Sequence, residues 1–454
     1  MPAQSLRDLS EIVKAYDIRG VVGDQLDGEV ARRLGAAFAR VVAEPGVDGV
    51  VLGRDMRDSS VQLAAAFAAG VTEQGLDVID IGLASTDLLY FAAGSLAKPG
   101  AMVTASHNPA RYNGFKLCRA GAVPLAEELR QIQADAETGL PAAAHTGTVT
   151  ERELLADYAA HLRSLVDVSG IRPLAVVVDA GNGMGGHTVP EVLAGLPVTL
   201  VELYCELDGS FPNHEANPLD PANLLDLCAR VSVERADIGL AFDGDADRCF
   251  VVDERGAPVS PSAITALVAA RELAKEPGAT IIHNLITSRA VPEIVTERGG
   301  RPARTRVGHS FIKKVMAETG AIFGGEHSAH YYFRDFWRAD SGMLAALHVL
   351  AALGEQDRPL SELMADYGRY AMSGEINSSV ADPAARLAAV RRYYAEADGV
   401  RFDELDGLTV TLADSSWFNL RPSNTEPLLR LNVEAADDEA VVALRDEVLA
   451  LVRA

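Results

Sequence analysis

The sequence is short of cysteine. Its four cysteines, Cys118, Cys205, Cys228 and Cys249, are scattered over 454 positions without a CxxC pair. Neither a zinc site nor a disulfide framework is indicated, and reduced thiols are expected. Positive charge is also scarce: 41 Lys and Arg face 64 Asp and Glu, for a net charge of −23. Nucleic acid needs a basic surface and anionic membranes repel an acidic one, so neither is an expected partner. A small phosphorylated ligand stays open, because screening lets local arginines outweigh distant acidic residues. Long apolar runs are missing too. The N-terminal MPAQSLRDLSEIVKAYDIRG has no apolar core of a secretory signal. The richest stretch, MLAALHVLAALG (343–354), is short and contains His348, so it reads as a buried helix. With 48% hydrophobic and only 6% aromatic residues, the composition is that of an ordinary soluble α/β enzyme, expected in the cytoplasm.

What is present is a βαβ rhythm. GVVLGRD (49–55) reads as a strand, SVQLAAAFAAGVTEQG (60–75) as an alanine-rich helix, and LDVIDIG (76–82) as the next strand. GAMVTASHNP (100–109) is a strand running into a loop, and chemistry is expected at such carboxyl ends. Strand-like runs recur at LAVVVDAGNGMGG, VTLVELY, ADIGLAF and ATIIHNLITS, and the pattern changes near residue 370. So long a chain exceeds one core. Four domains are expected, over 1–150, 151–256, 257–368 and 369–454.

DGDADR (243–248) is the sharpest local signal. Asp243, Asp245 and Asp247 alternate, so an extended segment would point all three to one side. Crowded carboxylates raise one another's pKa, and a hard divalent cation, Mg²⁺ first, removes that cost. The competing reading is a solvated acidic turn or a calcium loop, but the glycine an EF-hand needs at position six is replaced by Arg248. Arg248 either holds phosphate oxygens or pairs with an aspartate. RPSNTEP (421–427) offers Arg421, Ser423, Asn424 and Thr425 as a phosphate cradle, although these are also ordinary turn residues. GEHSAH (325–330) places Glu326, Ser328 and His330 at alternating positions, which suits a reader of sugar hydroxyls if extended. His309 is either structural or an acid/base or phosphate partner, and His327 is more simply structural. Gly181, Gly183 and Gly186 of DAGNGMGG match GxGxxG, with Glu202 at the distance of a ribose-binding acid. That alone would support a nucleotide-dependent oxidoreductase, but it explains none of the other motifs. VTASHNP (103–109) exposes Ser106 beyond an apolar run with no obvious activating base in the motif.

Together and in this order, VTASHNP, DGDADR, GEHSAH and RPSNTEP resemble the motif set of the α-D-phosphohexomutase family, and KAYDIRG (14–20) resembles its opening motif. The resemblance covers essentially the whole chain. Ala246 and Asn424 look like the phosphomannomutase/phosphoglucomutase branch rather than the phosphoglucosamine mutase branch, and GEHSAHYYFRD and VGHSFIKK look most like the bacterial phosphomannomutase type. The resemblance implies three successive α/β domains with mixed sheets and a smaller C-terminal α+β domain around a central cleft. It implies a phosphoserine at Ser106, and one Mg²⁺ on Asp243, Asp245, Asp247 and the Ser106 phosphate. Sugar hydroxyls would meet Glu326 and Ser328, and the phosphate not being transferred would meet Arg421, Ser423, Asn424 and Thr425. Tyr16, Arg19, Lys116, Arg248, His309 and His330 would complete the substrate site. Two departures bear on sugar preference: Ala329 stands where the family usually has glycine, and 283–287 (HNLIT) shows no lysine where some relatives carry one.

The implied reaction interconverts mannose 6-phosphate and mannose 1-phosphate through a hexose 1,6-bisphosphate. Ser106 acts first as leaving group and later as nucleophile, and Lys116 or His309 takes the hydroxyl proton. Glucose phosphates are the alternative substrates, glucosamine phosphates a further one, and a non-catalytic sugar-phosphate binder is the alternative of another class. A monomer or homodimer is expected.

Overall fold

The computed structural model describes residues 8–422 and 428–454, apart from the side chains of His309 and Ser310. The chain divides into two compact units, residues 1–259 with 328–361, and residues 260–327 with 362–454.

In the first unit, seven strands form a sheet: β1 (Ile18–Val21), β2 (Gly49–Arg54), β3 (Asp77–Leu83), β4 (Gly100–Val103), β5 (Tyr112–Arg119), β6 (Val123–Pro124) and β7 (Val149–Glu151). The order is β1-β5-β4-β2-β3-β7, with β6 beside β5. It is mixed: β2 runs parallel to β3 and β4, while β4 and β5 are antiparallel. The apolar runs of β2 and β4 are almost wholly buried, as strands covered on both faces must be. Helices α1 (Gly28–Val42) and α2 (Asp58–Glu73) are alanine-rich and lend Phe38 and Phe67 to a core with Val50, Val103 and Phe115. A third helix, α3 (Thr86–Ser95), begins just after β3 and is capped by the Ser85 hydroxyl, which accepts from Leu88 N–H.

The same unit holds a second sheet of β8 (Leu174–Asp179), β9 (Val198–Leu203), β10 (Ile238–Phe242), β11 (Cys249–Asp253) and β12 (Pro258–Val259), in the order β12-β11-β10-β8-β9. It too is mixed, parallel at β8–β10 and antiparallel at β10–β11. The helix Gly342–Gly354 is buried along almost its whole length, His348 included, whose ring stacks on Phe333 at 5.5 Å. The expectation of a buried helix there holds. Among the described residues no helix is long and apolar enough to cross a membrane.

In the second unit, β13 (Thr280–Asn284) pairs in parallel with β14 (Arg301–Thr305) and β15 (Phe323–Gly325); the helix Pro261–Lys275 precedes β13, and the helices Ala290–Glu297 and His309–Thr319 lie between the strands in sequence. The C-terminal part is different in kind. Strands Arg401–Asp403, Leu408–Thr411, Trp417–Pro422 and Leu428–Ala435 pair antiparallel in succession. One face of that sheet buries Phe418, Leu420, Leu431 and Val433 with Val448 of the helix Asp438–Arg453.

Candidate active site

Two strand ends build the site in the first unit. The loop after β4 carries Ser106, and the loop after β10 carries the acidic hexapeptide. Both follow the carboxyl ends of buried strands, where open α/β sheets place their chemistry. The acidic segment is not extended, which corrects the geometry expected from its alternation. It is a tight turn: Ala246 N–H donates to the Asp243 carbonyl at 3.0 Å, and Ala246 takes a left-handed φ of 58°. The carboxylates converge because the chain folds back on itself. One oxygen from each lies within 4.8 Å of the others.

Ser106 is also left-handed, with φ 51°. That costs a non-glycine residue roughly 1–2 kcal/mol, and the cost is met by fixed partners. Its N–H donates to Thr104 Oγ1 at 2.9 Å, and its hydroxyl donates to Asp243 Oδ2 at 3.0 Å. Gly244 makes this approach possible, because a Cβ there would sit 2.4 Å from the Ser106 carbonyl oxygen. The side chain of Ser106 is only 5% exposed, and the three aspartates are buried completely or nearly so.

Two cations face the three carboxylates. Arg248 Nη2 lies 2.8 Å from Asp243 Oδ2, and Lys116 Nζ lies 2.6 Å from Asp245 Oδ2 and 2.5 Å from Asp247 Oδ2. Of the two readings of Arg248, this structure shows the ion pair with an aspartate. Burial pushes Asp243 up to about 7 against the pull of Arg248. Burial also acts to raise Asp245, but Lys116 outweighs it and holds that carboxyl below the usual range. Lys116, pressed down by burial, is held above the usual ammonium range by Asp245 and Asp247. Three negative and two positive groups leave negative charge over. Oδ1 of Asp245 and Oδ1 of Asp247 are buried without a hydrogen-bond partner. Buried acceptors of that kind fit a hard cation, which takes carboxylate oxygens as ligands.

The other expected residues fall out as follows. His330 joins this group in the first unit, its Nε2 3.7 Å from Asp247 Oδ1, and Ser328 Oγ stands 3.2 Å from His330 Nδ1. Arg19 is held on the same side of β1 by Asp17 and by Asn108 of the serine loop. Tyr16 is half-buried in the bend before β1. Residues 327–329 form a turn rather than an extended stretch, which corrects the alternation expected for Glu326, Ser328 and His330. The turn needs a left-handed residue, and Ala329 supplies it at φ 65°, fully buried.

Glu326 belongs to the second unit, where its Oε1 accepts from Asn284 Nδ2 and from Gly308 N–H, each at 3.1 Å. Arg421, in the same unit, is buried beside Glu375 at 3.2 Å, with Asp406 at 3.9 Å. His309 opens its helix behind Gly308. Its side chain, and Ser423, Asn424 and Thr425, lie outside the described residues.

Two neighbours escaped the sequence reading. Thr86 donates from Oγ1 to Asp245 Oδ2 at 2.6 Å and from N–H to the Asp245 carbonyl at 2.9 Å, tying α3 to the acidic turn. His107 Nδ1 lies 3.3 Å from Ser106 Oγ. Burial, with Arg248 and Arg19 adding to it, keeps that imidazole well below its usual pKa. His107 was in view inside the motif, but adjacency in sequence carries no distance. Thr86 gave no signal, being separated from Asp245 by most of a domain. The glycine-rich DAGNGMGG turn has a packing explanation. A Cβ on Gly183 would meet the Gly244 carbonyl at 2.7 Å, and Met184 N–H donates to that same carbonyl at 2.9 Å. Its glycines let the acidic turn seat closely, and Glu202 is exposed on β9.

Comparison with known proteins agrees with this arrangement. Four models of the phosphoglucomutase/phosphomannomutase type match in order: alpha/beta/alpha domain I over 10–141, domain II over 156–256, domain III over 260–370, and the C-terminal domain over 375–451. A phosphomannomutase of Escherichia coli is 42% identical, covering 97% of this chain and 98% of its own. A phosphomannomutase/phosphoglucomutase of Pseudomonas aeruginosa is 37% identical over 96% and 94%. The crystal structure of a phosphoglucomutase/phosphomannomutase family protein from Burkholderia thailandensis superposes with a TM-score of 0.87 at 35% identity, covering 97% of each chain. With a serine loop and an acidic loop meeting inside the stretches that domains I and II match, and four family models spanning nearly the whole chain, this protein belongs to the phosphoglucomutase/phosphomannomutase family, the α-D-phosphohexomutases.

Proposed function

We propose that this enzyme interconverts mannose 6-phosphate and mannose 1-phosphate, through a phosphoserine at Ser106 and a hexose 1,6-bisphosphate. The observation that carries the reading is the Ser106 hydroxyl at 3.0 Å from Asp243, at the rim of a carboxylate trio with two unpartnered buried oxygens. Asp243, Asp245 and Asp247 would hold Mg²⁺ together with the Ser106 phosphate. Bound there, the cation offsets the charge of the transferring phosphoryl group.

The chain's own groups do the rest. A substrate hydroxyl attacks phosphorus, the bond to Ser106 Oγ breaks, and the hydroxyl proton passes to a base. Here Lys116 is held protonated between Asp245 and Asp247, a state that donates rather than accepts. The base is then His309, or Lys116 once released from those carboxylates. The bisphosphate turns over and returns its other phosphate to Ser106. Arg248, Arg19, Tyr16 and His330 would contact substrate from the first unit. Glu326 and Ser328 would read sugar hydroxyls, and Arg421, Ser423, Asn424 and Thr425 would hold the idle phosphate. The domain borders at 150, 256 and 368 and a cytoplasmic monomer or homodimer complete the proposal.

Glucose phosphates are a second substrate class, favoured by the dual name of the Pseudomonas relative. The test compares mannose, glucose and glucosamine 1-phosphates on protein whose phosphorylation is checked by intact mass. Mannose 1-phosphate is expected to turn over fastest. Ser106→Ala is expected to lose the covalent phosphate and at least 10³-fold in activity. A phosphate undiminished in that variant refutes the serine assignment.

A further inference from the structure

One guanidinium grips the whole serine loop. Arg57 sits in the turn between β2 and α2 and is 1% exposed. Its Nη2 donates to the carbonyls of Ser106 at 2.9 Å and Asn108 at 2.7 Å. Its Nη1 donates to the carbonyls of Pro109 and Tyr112, both at 3.0 Å. The fifth donor, Nε, meets Asp55 Oδ2 at 3.2 Å. A guanidinium has five N–H groups, and all five are engaged. None is left for a substrate.

The grip is itself braced. Asp55 is fully buried, and its Oδ1 accepts from Arg57 N–H at 3.1 Å and from the Ser60 hydroxyl at 2.5 Å. Asp55 N–H donates to the Val103 carbonyl at the end of β4. Asn113 Nδ2 donates to the hydroxyls of Ser59 and Ser60. The Phe211 ring lies 4.9 Å from the guanidinium carbon. Ser106, held left-handed, thus has one carbonyl lone pair on Arg57 while Gly244 packs against the same oxygen.

We propose that Arg57 is the positioning residue for phosphoryl transfer, setting Ser106 Oγ against the acidic turn without touching substrate. The inference rests on the mutase reading above. Four carbonyls spread over residues 106–112 converge on one charged, planar donor, which joins the ties from Thr104 to Ser106 N–H and from Arg19 to Asn108. Displacing Oγ from Asp243 by about an ångström is enough to slow an aligned transfer about 10²-fold.

The test is Arg57→Lys, which keeps the charge but has three donors without the planar fork. Three readouts are taken on the full-length protein: kcat and KM for mannose 1-phosphate, melting temperature, and amide exchange of the 104–113 peptide. The expected result is a folded variant with kcat down at least tenfold, KM within threefold, and exchange in that peptide at least tenfold faster. A purely structural role would lower the melting point without splitting kcat from KM. An unchanged kcat, or a raised KM at unchanged kcat, overturns the proposal. If Arg57→Lys does not fold, Asp55→Asn is read by the same criteria, since it unbraces the guanidinium and leaves its four carbonyl bonds. Parent protein that turns over no hexose phosphate removes the mutase reading, while the exchange measurement still decides whether Arg57 holds the loop.

Discussion

Gly244 shows how little room the site leaves. Nothing about its own φ demands glycine; the demand comes from the Ser106 carbonyl, 2.4 Å from where a Cβ would stand. That oxygen is backbone and pinned by Arg57, so it cannot yield. Gly244→Ala is therefore expected to fold but to lose about 10²-fold in kcat through misplacement of the two loops, measured by steady-state kinetics beside a melting curve. Asp245 has one oxygen shared by Thr86 and Lys116 and one buried without a partner. Asp245→Asn is expected to raise the Mg²⁺ concentration needed for half-maximal activity at least tenfold. An unmoved Mg²⁺ titration would remove the cation from this trio. At this scale the sequence already named the serine and the aspartates, because their residue types announce their chemistry. It was silent on Arg57 and Thr86, whose partners, beyond Asp55 on Arg57, are backbone carbonyls and a carboxylate far away in sequence.

Elements carry the loops and hold them in register. Strand β4 ends at Val103 and β10 at Phe242, so Ser106 and Asp243 follow in loops, both still buried. Helix α1 begins at Asp27, whose Oδ1 accepts from Val30 N–H at 2.9 Å, and it backs the first sheet with Leu34 and Phe38. Asp27→Ala is expected to cost about 1 kcal/mol of stability, seen as a fall of roughly 2–4 °C in melting, with kcat unchanged. A loss of activity at full folding would overturn the capping role. Strand and helix positions were legible from apolar runs and alanine-rich segments. DGDADR and GEHSAH were not extended, because each contains a left-handed alanine, at 246 and 329, that turns the chain. Propensity reads Ala as helical; only surrounding packing holds it at positive φ.

At the scale of the whole molecule, two buried groups, one in each unit, respond to acid in opposite senses. His283, in the second unit, is buried, and burial holds its imidazole down at about 4. The unfolded chain binds that proton from about 6.5 downward, so stability is lost as pH falls from 6.5 towards 4, by up to about 3 kcal/mol. Asp87, in the first unit, is pushed up to about 6 by burial, against hydrogen bonds from Ser341, Ser85 and Tyr158. There the folded state binds the proton more tightly, so stability is lost as pH rises from about 4 through 6. Amide exchange, corrected for intrinsic rate, should show the second unit opening more at pH 5 than at pH 7. His283→Gln should make that acid limb shallower, with His327, also held down at about 4 by burial, keeping the rest; an unaltered limb would assign it elsewhere. Composition, the absence of a membrane-spanning run, the α/β rhythm and the order of four motifs were determined by the sequence alone, since each depends on residue types and short spacing. Tertiary structure decided which carboxylate meets Ser106, which oxygens stay unpartnered, and that Arg57 and Thr86 serve the site. Those facts depend on contacts between residues 49 to 159 positions apart, and chain folding sets such distances while local pattern does not.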